Sequence, residues 1–261
     1  MSHRVRLGVF VCAAAGVAAL VLLAVVRMPG FASTFHPYRD HAIPAAVAHA
    51  TSNVVSSVNF DLRGLDTLAE ESILLASVVA VATLLRKADD EEWRTRREVG
   101  RVIDSTLLAG WILIPVTLVI GFDVISHGHL TPGGGFQGGV VVGTGVHLLY
   151  VAGRYTMLRK VRPLPAFEWG EAIGTAAFAC VGISAVLVAG AFLQNVIPQG
   201  QFGSLFSAGT VPLLNGAVGV EVASGVVVLI STFLDQAIGL RRKDTDATGT
   251  GDGSAQGARA S

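Results

Sequence analysis

From Leu7 to Val26 the chain carries no charged side chain, and long apolar runs return over 102–125, 135–151, 169–193 and 212–240. A run of about 20 apolar residues is what a helix needs to cross ~30 Å of hydrocarbon. In lipid, each backbone polar group must be satisfied inside its own helix or by a covering protein neighbour. The chain therefore reads as all-α, a polytopic integral membrane protein. Composition agrees: 51% of residues are hydrophobic and 15% charged, against roughly 25% charged in soluble domains. The formal net charge of +0 offers no basic surface for a nucleic acid. Cys12 and Cys180 both fall inside apolar runs and read as small buried residues, not as a disulfide framework.

The first run follows Arg4 and Arg6, as a signal peptide would. Its apolar part outlasts the roughly 7–15 residues of a signal core, so it reads as an uncleaved span. A polar loop holding His36, His41 and His49 follows, and its last part, 45–60, is mildly apolar, suiting a short interfacial helix. The second span, 59–85, is clean only from Ser72 to Leu85. That half is too short to cross, so the helix must begin near Gly64, which draws Asp66, Glu70 and Glu71 toward the membrane. Residues 1–88 thus form a two-helix segment and 89–101 a charged cytoplasmic linker. Residues 102–243 hold spans three to six, and span three contains Pro115. The Gly/Ser/Thr/Ala tail 244–261 has the composition of a disordered segment. The loops after spans two, four and six are rich in Lys and Arg, whereas those after spans three and five carry none. Six spans with both termini cytoplasmic satisfy that alternation, in a cell-membrane protein.

Between spans three and four lies Ser126-His127-Gly128-His129-Leu130-Thr131-Pro132-Gly133-Gly134-Gly135-Phe136-Gln137-Gly138-Gly139. Such backbone at a membrane boundary needs protein or water around it, and glycine lets another chain approach closely. Gly135, Gly139, Gly143 and His147 continue the spacing every four residues. The segment Pro132, Gly133, Gly134, Gly135, Phe136, Gly138, Gly139 and Gly143 is therefore expected to pack helices backbone to backbone.

Intramembrane acids are functional by default. Asp66 and Glu70 share a helix face, with Arg63 one turn before Asp66. The relay reading of this pair competes with charges that only anchor the helix at the headgroups. Glu71 points about 100° away from Glu70 and carries less weight. Glu221 shares its face with Ala217, Ser224 and Gly225, so it is expected to look into the protein as a proton group or a structural hydrogen-bonding group. His147 is a proton carrier or a packing residue. Glu168 and Glu171 open span five, where acids suit the helix dipole. Asp123, His127 and His129 match no closed zinc set, and the glycines lack the Gly-Lys-Ser/Thr ending of a phosphate loop. No metal, cofactor or nucleophile arrangement emerges.

The stretch Gly128 to Gly139 resembles the signature of the MnhB-type component of the multisubunit Mrp (Mnh) Na⁺/H⁺ antiporters, a likeness extending over 102–240. Asp61-Leu62-Arg63-Gly64-Leu65-Asp66-Thr67-Leu68-Ala69-Glu70 resembles a segment near the C-terminus of the large MnhA-type component of the same antiporters, with Ala69 where glycine is usual. It is also similar to a small component of energy-converting membrane hydrogenases. The chain thus looks like a fusion of the tail of the MnhA-type component with an MnhB-type component. The resemblance implies a complex that exchanges cytoplasmic Na⁺ for outside H⁺, with the other antiporter subunits for partners and an ion-path role for Glu70. The alternative is a structural membrane subunit of a redox-driven ion-pumping complex. The absence of lysine or arginine from the middle of any span favours that alternative, and the intramembrane acids favour the antiporter.

Overall fold

The computed structural model describes residues 3–28, 34, 36–85, 103–153 and 164–249, with side chains outside the description at 150–153 and 235–249. The charged linker 89–101 lies outside the described residues, as do 250–261 of the expected disordered tail. Every regular element described is helical: α1 (His3–Val26), α2 (Pro37–Ala48), α3 (Val54–Ser57), a π-turn (Val58–Leu62), α4 (Gly64–Leu84), α5 (Asp104–Ser126), α6 (Gly135–Gly153), α7 (Leu164–Ala189) and α8 (Val211–Gly249). Among the described residues, α1, α4, α5, α7 and the Val211–Leu234 part of α8 are long and apolar enough to cross a membrane. The remaining expected span, α6, is about 28 Å long at 1.5 Å per residue. It lies against α5 and α8.

Two compact units result, 1–41 and 42–261. The first holds α1, apolar on every side as a membrane helix should be. The second is organised around α8, which packs against α4, α5, α6 and α7. Helix α4 buries Glu71 and Val78 within the same unit as α5 to α8.

Three local features differ from expectation. The 45–60 stretch is two helices broken at 49–53, where Asn53 caps α3 by accepting from the N–H groups of Val55 (3.1 Å) and Ser56 (3.4 Å). The π-turn after α3 delivers Phe60 into the core, its ring centroid 6.2 Å from that of Phe178. Helix α8 runs on to Gly249, past Leu240, where the sixth span was expected to end.

Candidate functional site

Helices α4, α7 and α8 each turn one glutamate inward. Glu71 is 0% exposed, Glu171 2% and Glu221 0%. Both carboxylate oxygens of Glu71 and of Glu221, and Oε1 of Glu171, have no hydrogen-bond partner among the described residues. Glu71 and Glu221 interact across the α4–α8 contact, and Glu221 in turn acts on Glu171 of α7. Glycines permit this convergence. A Cβ on Gly174 would lie 2.6 Å from Cβ of Glu221, and one on Gly225 would lie 3.3 Å from Oε1 of Glu171 and 3.4 Å from Val78. The backbones of α7 and α8 therefore close around the acids, with Val78 of α4 beside Gly225. Thr175 donates to the Glu171 carbonyl (3.2 Å) with its hydroxyl beside Glu221. Among the described residues none of the three acids is in an ion pair. An isolated buried carboxylate is costly, whereas adjacent carboxyl groups can share and pass a proton.

Glu70 lies on the open side of the same helix. It borders a cleft of about 430 Å³ whose other walls include Phe60, Thr67, Gly134, Gln137 and Asn215. Gly133 (φ 130°) and Gly134 (φ 142°) take backbone values that side-chain-bearing residues rarely adopt. Asn215 fastens this wall. Its Oδ1 accepts from the Gly135 N–H at 2.9 Å, and its Nδ2 donates to Ser56 Oγ and the Val211 carbonyl, each at 3.2 Å. Cβ atoms on Gly128 or Gly134 would each lie 2.7 Å from that Oδ1. The glycine stretch is thus both a helix-packing element and one side of the Glu70 cleft. Asp66 is exposed and paired with Arg63 at the rim of α4.

The remaining expected residues fall on α6 and its entry loop. Gly139 and Gly143 face α8, where added Cβ atoms would lie 2.9 Å from the Gly219 carbonyl oxygen and 3.0 Å from Val226 respectively. Gly138 faces α5, 2.7 Å from the Gly121 carbonyl oxygen by the same measure. Phe136 packs against the core, and Pro132 is exposed. His147 is partly buried and donates from Nδ1 to the Gly143 carbonyl at 2.8 Å. His129 is fully buried beside the backbone of Ser204 and Leu205, with neither ring nitrogen hydrogen-bonded in good geometry; burial lowers its pKa from the ordinary 6.5. Asn53 holds the same loop, donating to the carbonyls of Gly128 and Thr131 at 2.8 Å each.

Asn215 was not singled out by sequence reasoning, Glu171 was read only as an acid suiting the dipole of its helix, and Glu71 was given less weight than Glu70. A signal for Glu171 existed in the glycines beside it, Gly170 and Gly174, which mark a close helix approach.

Residues 107–228 match the family model described as "Domain related to MnhB subunit of Na+/H+ antiporter". The Methanocaldococcus jannaschii protein MJ1307 is 28% identical over 198 residues, covering 67% of this chain and 74% of that protein. A probable K(+)/H(+) antiporter A/B subunit of Rhizobium meliloti is 24% identical over 208 residues, 69% of this chain and 20% of that much longer protein. Two solved structures share the fold. A chain of the membrane-bound sulfane sulfur reductase, an archaeal respiratory membrane complex, aligns with TM-score 0.68 at 24% identity over 88% of this chain and 98% of its own. A chain of the Mrp complex from Dietzia sp. DQ12-45-1b aligns with TM-score 0.64 at 23% identity over 89% and 26%.

Proposed function

We propose that this chain, whose residues 107–228 match the family model described as "Domain related to MnhB subunit of Na+/H+ antiporter", is a membrane subunit of a multisubunit monovalent cation/proton antiporter, a secondary transporter part and not an enzyme. The observation that carries the reading is Glu221: a fully buried carboxyl, with neither oxygen hydrogen-bonded among the described residues, inside a membrane-length helix of the matched domain. Glu70, with Asp66 nearby, offers an acid at an open cleft, Glu221 one in the interior, and His147 a titratable ring on α6. The other antiporter subunits are its partners, Na⁺ and H⁺ its ions. The complex exchanges ions when Na⁺ binding and proton release compete at such carboxyls.

Both ends of the chain face the cytoplasm in this reading. A single cysteine at Gln199, in a background lacking Cys12 and Cys180, then reacts with an impermeant reagent in intact cells; labelling only after permeabilisation reverses the orientation.

A second reading, a structural subunit of a redox-driven complex, is favoured by the fold match to nearly all of a chain in an archaeal respiratory membrane complex. The two separate in cells lacking their own Na⁺/H⁺ antiporters. Co-expressed with its partner subunits, this chain should be required for Na⁺ to dissipate a pH gradient in inverted vesicles. Undiminished exchange by a complex from which it has been deleted would favour the structural reading.

A further inference from the structure

We propose that Glu71, Glu171 and Glu221 together form a proton-holding station inside the helix bundle, separate from the Glu70 cleft. The three acids come from three helices, are each at least nine-tenths buried, and leave five carboxylate oxygens without a hydrogen-bond partner among the described residues. A surface acidic cluster would be solvated or paired. This one is neither: Glu71 lies against Glu221, and Glu221 lies beside the helix that carries Glu171.

Geometry makes sharing possible. Glu71 reaches Glu221 across the α4–α8 contact, while Gly174 and Gly225 remove the side chains that would separate Glu221 from α7 and α8 from Glu171. Among the described residues the groups facing the trio are acidic or neutral: Glu70 beside Glu71, Glu168 one turn before Glu171, and Thr175 at Glu221. With no opposing cation among the described residues, simultaneous ionisation is opposed by mutual repulsion and by poor solvation.

The ligand this favours is the proton. A proton leaves one carboxyl O–H for the carboxylate oxygen of its neighbour; one O–H bond breaks, one forms, and the charge moves the other way with no redox partner. No group of acidic and histidine side chains among the described residues converges as metal ligands would.

The adjacent acids Glu70 and Glu71 then serve different ends of one helix cross-section, Glu70 open to the cleft and Glu71 to the interior. The station rests on the antiporter reading only for its use in transport; its chemistry can be measured independently.

The test is infrared difference spectroscopy of the purified complex through a pH step, following the stretch of protonated carboxyl groups. Glu71→Gln, Glu171→Gln and Glu221→Gln should each remove part of the titrating band and move what remains by about one pH unit, as coupled sites do. If a Gln variant does not assemble, Glu71→Asp keeps the carboxyl on a shorter arm and should shift the band without abolishing it. An unchanged band in all the assembled variants would overturn the station. A band that Na⁺ at fixed pH displaces as the pH step does would also overturn it, in favour of a cation site. A wild-type complex that shows the band but no exchange would sink the transport reading and leave the station standing.

Discussion

Glu71 and Glu221 meet at the contact between α4 and α8, while Glu70, the preceding residue on α4, opens onto a cleft on the other side. One helix therefore presents acids to two environments within a single peptide step. Among the described residues the interior acid meets charged groups only of its own kind, and the cleft acid faces a glycine wall held in place by Asn215.

Glu70→Gln keeps the shape and hydrogen-bonding capacity of the side chain but removes its charge. The complex should assemble, and Na⁺/H⁺ exchange should fall across the working pH range. Glu70→Asp should retain part of the activity with a shifted pH profile. Asp66→Asn, which breaks only an exposed pair with Arg63, should cost less than about 1 kcal/mol of stability. Normal exchange by Glu70→Gln would reduce that residue to an anchor.

Asn215→Leu leaves the Gly135 N–H and the Ser56 hydroxyl without their partner. Each buried group so orphaned typically costs about 1–3 kcal/mol. The thermal midpoint of the purified complex should drop clearly, and an unaltered midpoint would remove Asn215 as the fastening of the glycine wall.

The glycines of α6 and α8 are not equivalent. Gly139→Leu meets the α8 backbone and Val222 at once; overpacking of this kind typically costs ~1–3 kcal/mol, so assembly should suffer before activity does. Gly216 has nothing within 4 Å of a built Cβ. Gly216→Ala should be neutral or stabilising by about 0.5–1 kcal/mol. Equal yields of complex from the two variants would contradict the close α6–α8 approach.

His129 supplies a pH signature outside the spans. Burial holds its folded pKa below the ordinary 6.5, so the open loop binds a proton that the closed loop refuses. Closure is therefore fully favoured above about pH 6.5 and weakens as pH falls through the window below it. Hydrogen exchange at residues 127–131, corrected for intrinsic rate, should quicken over that window, and His129→Gln should flatten the response. Acid-insensitive protection in the wild-type chain would contradict the buried neutral ring.

The apolar runs made the long helices legible, with the starts of α4 at Gly64, α5 at Asp104 and α6 at Gly135 falling within two residues of expectation, because hydrocarbon thickness leaves little choice of length. The inward aim of Glu221 was legible too, since Ala217, Ser224 and Gly225 on its face leave room only for another helix. The choice between Glu70 and Glu71 was not. Helical geometry gives the angle between them, but which side faces protein depends on α7 and α8, more than 90 residues further along the chain. Glu171 was assigned to the helix dipole because span five was expected to begin at Trp169. The helix begins at Leu164, which places Glu171 beyond the first turn, where the dipole has faded. Asn215 stood out least. It is one polar residue in an apolar run, and its partners Gly135 and Ser56 lie 80 and 159 positions away.

The most direct measurement is Na⁺-driven dissipation of a pH gradient in inverted vesicles carrying the complex with Glu221→Gln, in cells without other Na⁺/H⁺ antiporters. The side chain keeps its size in a tightly packed site but can no longer ionise. The complex should be recovered at normal yield with exchange reduced by about 10²-fold or more, the usual scale for losing a proton-transfer group. Wild-type exchange by that assembled variant would show that no ion or proton passes through this carboxyl, and would contradict the account.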